Sequence, residues 1–261
     1  VSLIRKVLPV YLAAVILLIS FGCGGGGALS ISEYKEKISE LHDGVIAGME
    51  DVFESLEYIP YDDYWGLLEL EKVFEQSYET FVSAGKDASG ITPPSESEAL
   101  HEDLTGYYIW GEVSMGSMIN GIRFFQSVLP MLVDMDNLAL PQLEEDTGLT
   151  QIEAASTEDR KTMQMYIKDL NRMKPPAALS EYQDDLLGLI RALDESISRL
   201  DQSVASGENS ALSVYQQEYI TVLERVDEFW EEAMDYLGLL QPRIGFLIMR
   251  GKTLSARIDE L

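Results

Sequence analysis

The sequence predicts an all-α protein: an antiparallel helical bundle built from two duplicated helical hairpins with flanking helices. Three observations carry this. From Ile31 onward, apolar residues recur at helical spacing. No run alternates apolar and polar residues with period two between hairpin turn signals. A shift of 82 residues lays Lys86-Asp87 and Ile91-Thr92-Pro93-Pro94 on Lys168-Asp169 and Met173-Lys174-Pro175-Pro176. The same shift brings Glu102-Asp103-Leu104 and Gly106 onto Asp184-Asp185-Leu186 and Gly188. Each copy reads as a helix, a Pro-Pro turn and a long helix, the pattern expected of one repeated supersecondary unit.

Composition limits the partners. Of 261 residues 46% are hydrophobic, which is enough for a core, and nine Pro with twenty Gly is too little for a fibrous chain. Asp and Glu number 45 against 19 Lys and Arg, a formal charge of −26. Such a chain repels phosphate backbones, and no local basic patch offsets this, so nucleic acid is not an expected partner.

The elements begin with a leader. Arg5 and Lys6 precede Val7 to Phe21, which is apolar apart from Ser20, and Gly22-Cys23 follows with four glycines behind it. A basic stretch, an apolar stretch and a small residue before the chain's single cysteine is an export pattern. It resembles a bacterial lipoprotein precursor, although Ser20 and Phe21 stand where leucine and a small residue are usual. The resemblance implies a signal peptide over residues 1–22, a diacylated Cys23 as the mature first residue, and a body held on the extracytoplasmic side of the cell membrane. Gly24 to Ser30 would be a flexible tether, since no strand precedes it and no Gly-Lys-Ser/Thr follows. The alternative reading of the same segment is an uncleaved transmembrane helix carrying a sensory or signalling ectodomain.

Residues 31–261 form the acidic helical domain. The first helix carries Ile31, Ile38, Val45, Val52 and Ile59 on one stripe, with Tyr34, Leu41, Met49 and Leu56 beside it, and ends at Pro60. Asp62 or Asp63 caps a second helix reaching about Ala84 with Leu67, Leu70, Phe74, Tyr78 and Phe81 inward. Ser95 and Glu98 form a capping box for a third helix, expected to run to about Gln126, with Pro130 as an end or kink. Its apolar residues surround it between Tyr107 and Val133, so it is expected to be central and buried; Glu112, Asn120 and Arg123 argue against a membrane span. Gly106, Gly111, Gly116 and Gly121 recur along it in four different directions, which favours local close packing over one glycine face. Residues 131–148 read as a connection, followed by helices over about 150–172, 178–206, 210–240 and, beyond Pro242, 243–259.

Chemistry-bearing residues are few. Glu98-Ala99-Leu100-His101 supplies one Glu-x-x-His pair, but His42 has Ser39 at that spacing, so a di-iron bundle lacks a ligand set. His101 then reads as a solvated first-turn histidine. Asp134-Met135-Asp136-Asn137 with Glu145 begins like a calcium loop, yet Leu138 and Ala139 occupy positions that need a ligand and a glycine. There is no Gly-x-Ser-x-Gly, His-Glu-x-x-His or Walker sequence, so no enzyme, metal or cofactor is expected. Two groups of aromatic residues with carboxylates remain: Tyr58, Tyr61, Asp62, Asp63, Tyr64 and Trp65 at a helix start, and Tyr107, Tyr108, Trp110 and Glu112 on the third helix. Aromatic faces beside carboxylates suit a cation. The expected ligand-binding residues are Tyr107, Trp110, Glu112 and Arg123. Expected partners are the membrane, through the lipid anchor, and an envelope protein or small cationic ligand. Arg243, Arg250, Lys252 and Arg257 are expected to neutralise the body's own carboxylates.

Overall fold

The computed structural model describes residues 29–60, 63–144, 147–206 and 211–261. The leader, Cys23 and the glycine run lie outside the described residues, as do Tyr61, Asp62 and Glu145. The chain is an all-α helical bundle, with no strand among the described residues. Its α-helices are α1 (Ile31–Tyr58), α2 (Tyr64–Ser89), α3 (Glu98–Asp136), α4 (Leu149–Leu170), α5 (Ser180–Ala205), α6 (Ala211–Gly238) and α7 (Leu240–Asp259).

Local chemistry sets the helix ends. Ser30, expected to belong to the tether, caps α1: its hydroxyl accepts the Glu33 N–H at 3.3 Å, and the Glu33 carboxylate accepts the Ser30 N–H at 3.0 Å. This reciprocal pair satisfies donors that the helix leaves unpaired. Asp63 caps α2 by accepting the Gly66 N–H at 2.7 Å. The expected Ser95–Glu98 box does not open α3; Ser95–Ser97 is instead a 3-10 turn entered from Pro94, without a side-chain cap.

Pro130 does not end the third helix, which continues to Asp136. The proline is exposed while Leu129, Met131, Leu132 and Met135 around it are buried, so burial on both sides holds the helix through one missing donor. Asp134 and Asp136 are therefore helical and no calcium-type loop begins there; Asp134 instead accepts a hydrogen bond from Tyr166. Pro242 lies in the first turn of α7, where its missing N–H is no loss.

The duplication is present at the level of single bonds. Shifted by the same 82 residues, the 3-10 turn Ser95–Ser97 falls on Ala177–Leu179, and the starts of α3 and α5 coincide. The Gly90 N–H to Asp87 carbonyl bond recurs as Arg172 to Asp169, and Ile91 to Ala88 recurs as Met173 to Leu170. Buried positions coincide too: Leu70, Phe74, Ser77, Phe81, Ala84 and Ala88 on α2 match Ile152, Ser156, Asp159, Met163, Tyr166 and Leu170 on α4. On the following helices Leu100, Leu104, Tyr108, Met115 and Met118 match Tyr182, Leu186, Ile190, Ile197 and Leu200.

The chain divides into two compact units. Of the described residues, one holds 29–50, Ser77–Val113 and Phe246–Leu261, and the other holds those within Asp51–Gln76 and Ser114–Gly245. In the first unit a Cβ at Gly111 would stand 2.0 Å from the Phe81 ring, so the glycine lets that ring lie against the α3 backbone. In the second, Gly121 does the same for Tyr236. Gly106 has no neighbour within 4 Å. The third helix is not buried all round, because Ile109, Val113 and Val133 are exposed.

Candidate functional site

The first unit contains a buried polar constellation centred on His42. This residue occupies the inward row of α1 with Tyr34, Ile38, Val45 and Met49, and is completely buried. Its Nε2 lies 2.8 Å from the Gly251 carbonyl of α7. A carbonyl only accepts, so Nε2 carries the hydrogen and Nδ1 accepts from the Tyr108 hydroxyl at 3.3 Å. Tyr107 packs edge-on to the imidazole at 5.6 Å and donates its hydroxyl to the Leu247 carbonyl at 3.1 Å. Gly251 permits this approach, since a Cβ there would meet Ile46 at 2.2 Å and the Tyr107 hydroxyl at 2.6 Å.

Burial dominates the electrostatics. It lowers the His42 pKa, opposed by the bond to Gly251, and it raises those of Tyr107 and Tyr108 well above the phenol range. His101 is half-buried rather than solvated, with Nδ1 3.2 Å from the Tyr34 hydroxyl, and its pKa is also lowered by burial. The same cause pushes Tyr34 up to about 12. Neutral phenols and imidazoles hydrogen-bonded to one another and to helix carbonyls hold α1, α3 and α7 together in this unit. Among the described residues no three of His, Cys, Asp and Glu gather as a cation site.

The sequence-predicted ligand residues do not form one group. Tyr107 is fully buried with its hydroxyl engaged. Trp110 is half-buried, edge-on to Phe246 at 5.8 Å, with the Arg250 guanidinium 5.1 Å over its ring, so the chain itself supplies a cation to this aromatic face. Glu112 is half-buried in the same unit. Arg123 belongs to the other unit, where Glu71 accepts from it at 2.5 Å and Glu75 also pairs with it. Of the basic residues of α7 expected to neutralise carboxylates, Lys252 pairs with Glu50 and Arg257 with Asp103, each at 2.6 Å, whereas Arg243 lies over the Tyr236 ring and Arg250 over Trp110.

No known protein family, characterised protein or solved structure matches this chain. The α1–α2 tip, in the second unit, differs from every aromatic group above because it faces solvent. Tyr58 is 74%, Tyr64 45% and Trp65 73% exposed, and Tyr64 meets Trp65 edge-on at 5.4 Å. A groove of about 310 Å³ beside Trp65 is walled by Asp63, Glu69 and Lys72.

Sequence reasoning named the tip but missed the His42 constellation and Asp159. The His42 signal was available, since the residue falls on the inward row of α1. Asp159 is buried and accepts the N–H groups of Ala139 and Leu140 at 3.0 and 2.8 Å, capping the turn after α3. Burial raises its pKa against those two bonds. Its repeat partner is Ser77, which makes no such bond, so the repeat itself held no signal for this role.

Proposed function

We propose that this protein is a lipoprotein, anchored through Cys23 on the extracytoplasmic face of the cell membrane, whose acidic helical body is a non-catalytic binding module. The observation that carries the anchor is the order of Arg5-Lys6, an apolar run and the chain's single cysteine followed by four glycines. Acyl chains contribute about 0.8 kcal/mol per buried CH₂, so a diacylated cysteine holds a body of this charge at a bilayer that its acids alone would avoid. Among the described residues no helix is long and apolar enough to cross a membrane. Support for a binding role comes from what faces solvent: buried polar groups are largely bonded within the fold, whereas a cluster of aromatic side chains stands exposed on one tip.

The test is the intact mass and membrane fraction of the full chain and of Cys23→Ala, expressed in a bacterial host. The expected product lacks residues 1–22, carries acyl chains, and sediments with membranes; Cys23→Ala abolishes both changes. A full-length membrane product indifferent to that substitution overturns the lipoprotein and makes the N-terminal segment an uncleaved span.

A further inference from the structure

We propose that the α1–α2 tip is a docking surface for a basic polypeptide segment, whose lysine or arginine side chains lie over Tyr58, Tyr64 and Trp65 between the carboxylates of Asp63 and Glu69. The inference deepens the reading of the body as a binding module and rests on it.

The first argument is exposure. Three large aromatic side chains within eight residues are exposed, Tyr58 and Trp65 for the greater part, although the same unit buries Phe125, Phe229 and Tyr236. An edge-to-face Tyr64–Trp65 pair is a rigid platform that loses little conformational freedom when something covers it. Charge is the second argument. Seven acids and one lysine lie between Asp51 and Lys72, so the platform sits in a negative field that attracts cations and repels anionic lipid. Third, the fold shows how its aromatic faces take a cation: Arg250 covers Trp110, Arg243 covers Tyr236 and Arg225 covers Phe229. Trp65 offers the same face to solvent.

The geometry selects a polypeptide over a small cation. Pockets for small ligands enclose most of the ligand surface. Here the aromatic faces are spread along an open tip, with a groove of about 310 Å³ that takes one long side chain. A segment with several cations reaches the groove and the Tyr58 face together.

The experiment uses the detergent-solubilised full chain and fluorescein-labelled hexa-arginine, read by anisotropy at 150 mM NaCl. Trp65→Ala and Tyr58→Ala are expected to weaken binding about tenfold each, as loss of a covered aromatic face implies. The double substitution Asp184→Asn and Asp185→Asn, which removes two exposed acids elsewhere, is expected to change it less than twofold. Circular dichroism is expected to be unchanged, because both aromatic residues are exposed. No binding by the wild type, or equal weakening by the aromatic and the distant acid variants, overturns the proposal. So does a blue-shifted emission lost with Trp65 on adding phosphatidylcholine vesicles that hexa-arginine cannot reverse, which would make the tip a bilayer contact. Cys23→Ala is measured alongside and is expected to bind hexa-arginine as the wild type does. Loss of the anchor then appears in mass and sedimentation, and loss of the docking surface appears in anisotropy alone.

Discussion

His42 is neutral in the folded chain because it is buried with one nitrogen donating to a carbonyl and the other accepting from a phenol. A second proton would need Tyr108 to withdraw its donated hydrogen inside a dry interior. The folded pKa accordingly lies below the unfolded value of about 6.5, and the same holds for His101. Below 6.5 the unfolded chain then binds more protons than the folded one. The stability these residues contribute is complete above pH 6.5 and is lost as the pH falls from there toward their lower folded values. Urea midpoints measured between pH 7.5 and 5.5 should fall, and the imidazole Cε1–H signals should titrate below 6.5 by NMR. A flat midpoint with both histidines titrating at 6.5 would contradict the buried network. The burial of His42 was legible from its place in the row of Tyr34, Ile38, Val45 and Met49. Its partner carbonyl was not, since Gly251 is 209 residues away.

Helices illustrate how far a local signal reaches. Pro60 marked the end of α1 and Asp63 the start of α2, because each is a local backbone event, whereas α2 ran five residues past its expected end at Ala84. α3 ran ten residues past its expected end at Gln126, because burial outweighed one proline. The glycines of α3 cost helix stability unless something needs their missing side chain. A methyl group at Gly111 would stand 2.0 Å from the Phe81 ring, whereas one at Gly106 would meet nothing within 4 Å. Gly111→Ala is therefore expected to lower the unfolding free energy by about 1–3 kcal/mol through overpacking. Gly106→Ala should raise it by about 0.5–1 kcal/mol through helix propensity and a stiffer unfolded chain. Urea denaturation of the two variants checks this, and equal signs would refute the packing assigned to Phe81.

For the whole molecule, 45 acids against 19 bases set the electrostatics. Described ion pairs such as Lys252–Glu50 and Arg257–Asp103 are exposed, and exposed pairs contribute little. Self-repulsion is the larger effect, so added salt should screen it and raise the thermal midpoint between 20 and 300 mM NaCl. A midpoint that falls with salt would mean that the ion pairs prevail. Apolar spacing, the absence of strand patterns and the Pro-Pro repeat were enough to determine an all-α chain with a duplicated hairpin, because helical periodicity and turn chemistry are written in neighbouring residues. The acid excess was likewise plain in composition. Which aromatic residues face solvent was decided only by tertiary structure. Tyr107 and Trp65 look alike in a sequence, but one is sealed beneath α7 carbonyls and the other stands 73% exposed, because burial depends on what distant segments bring alongside.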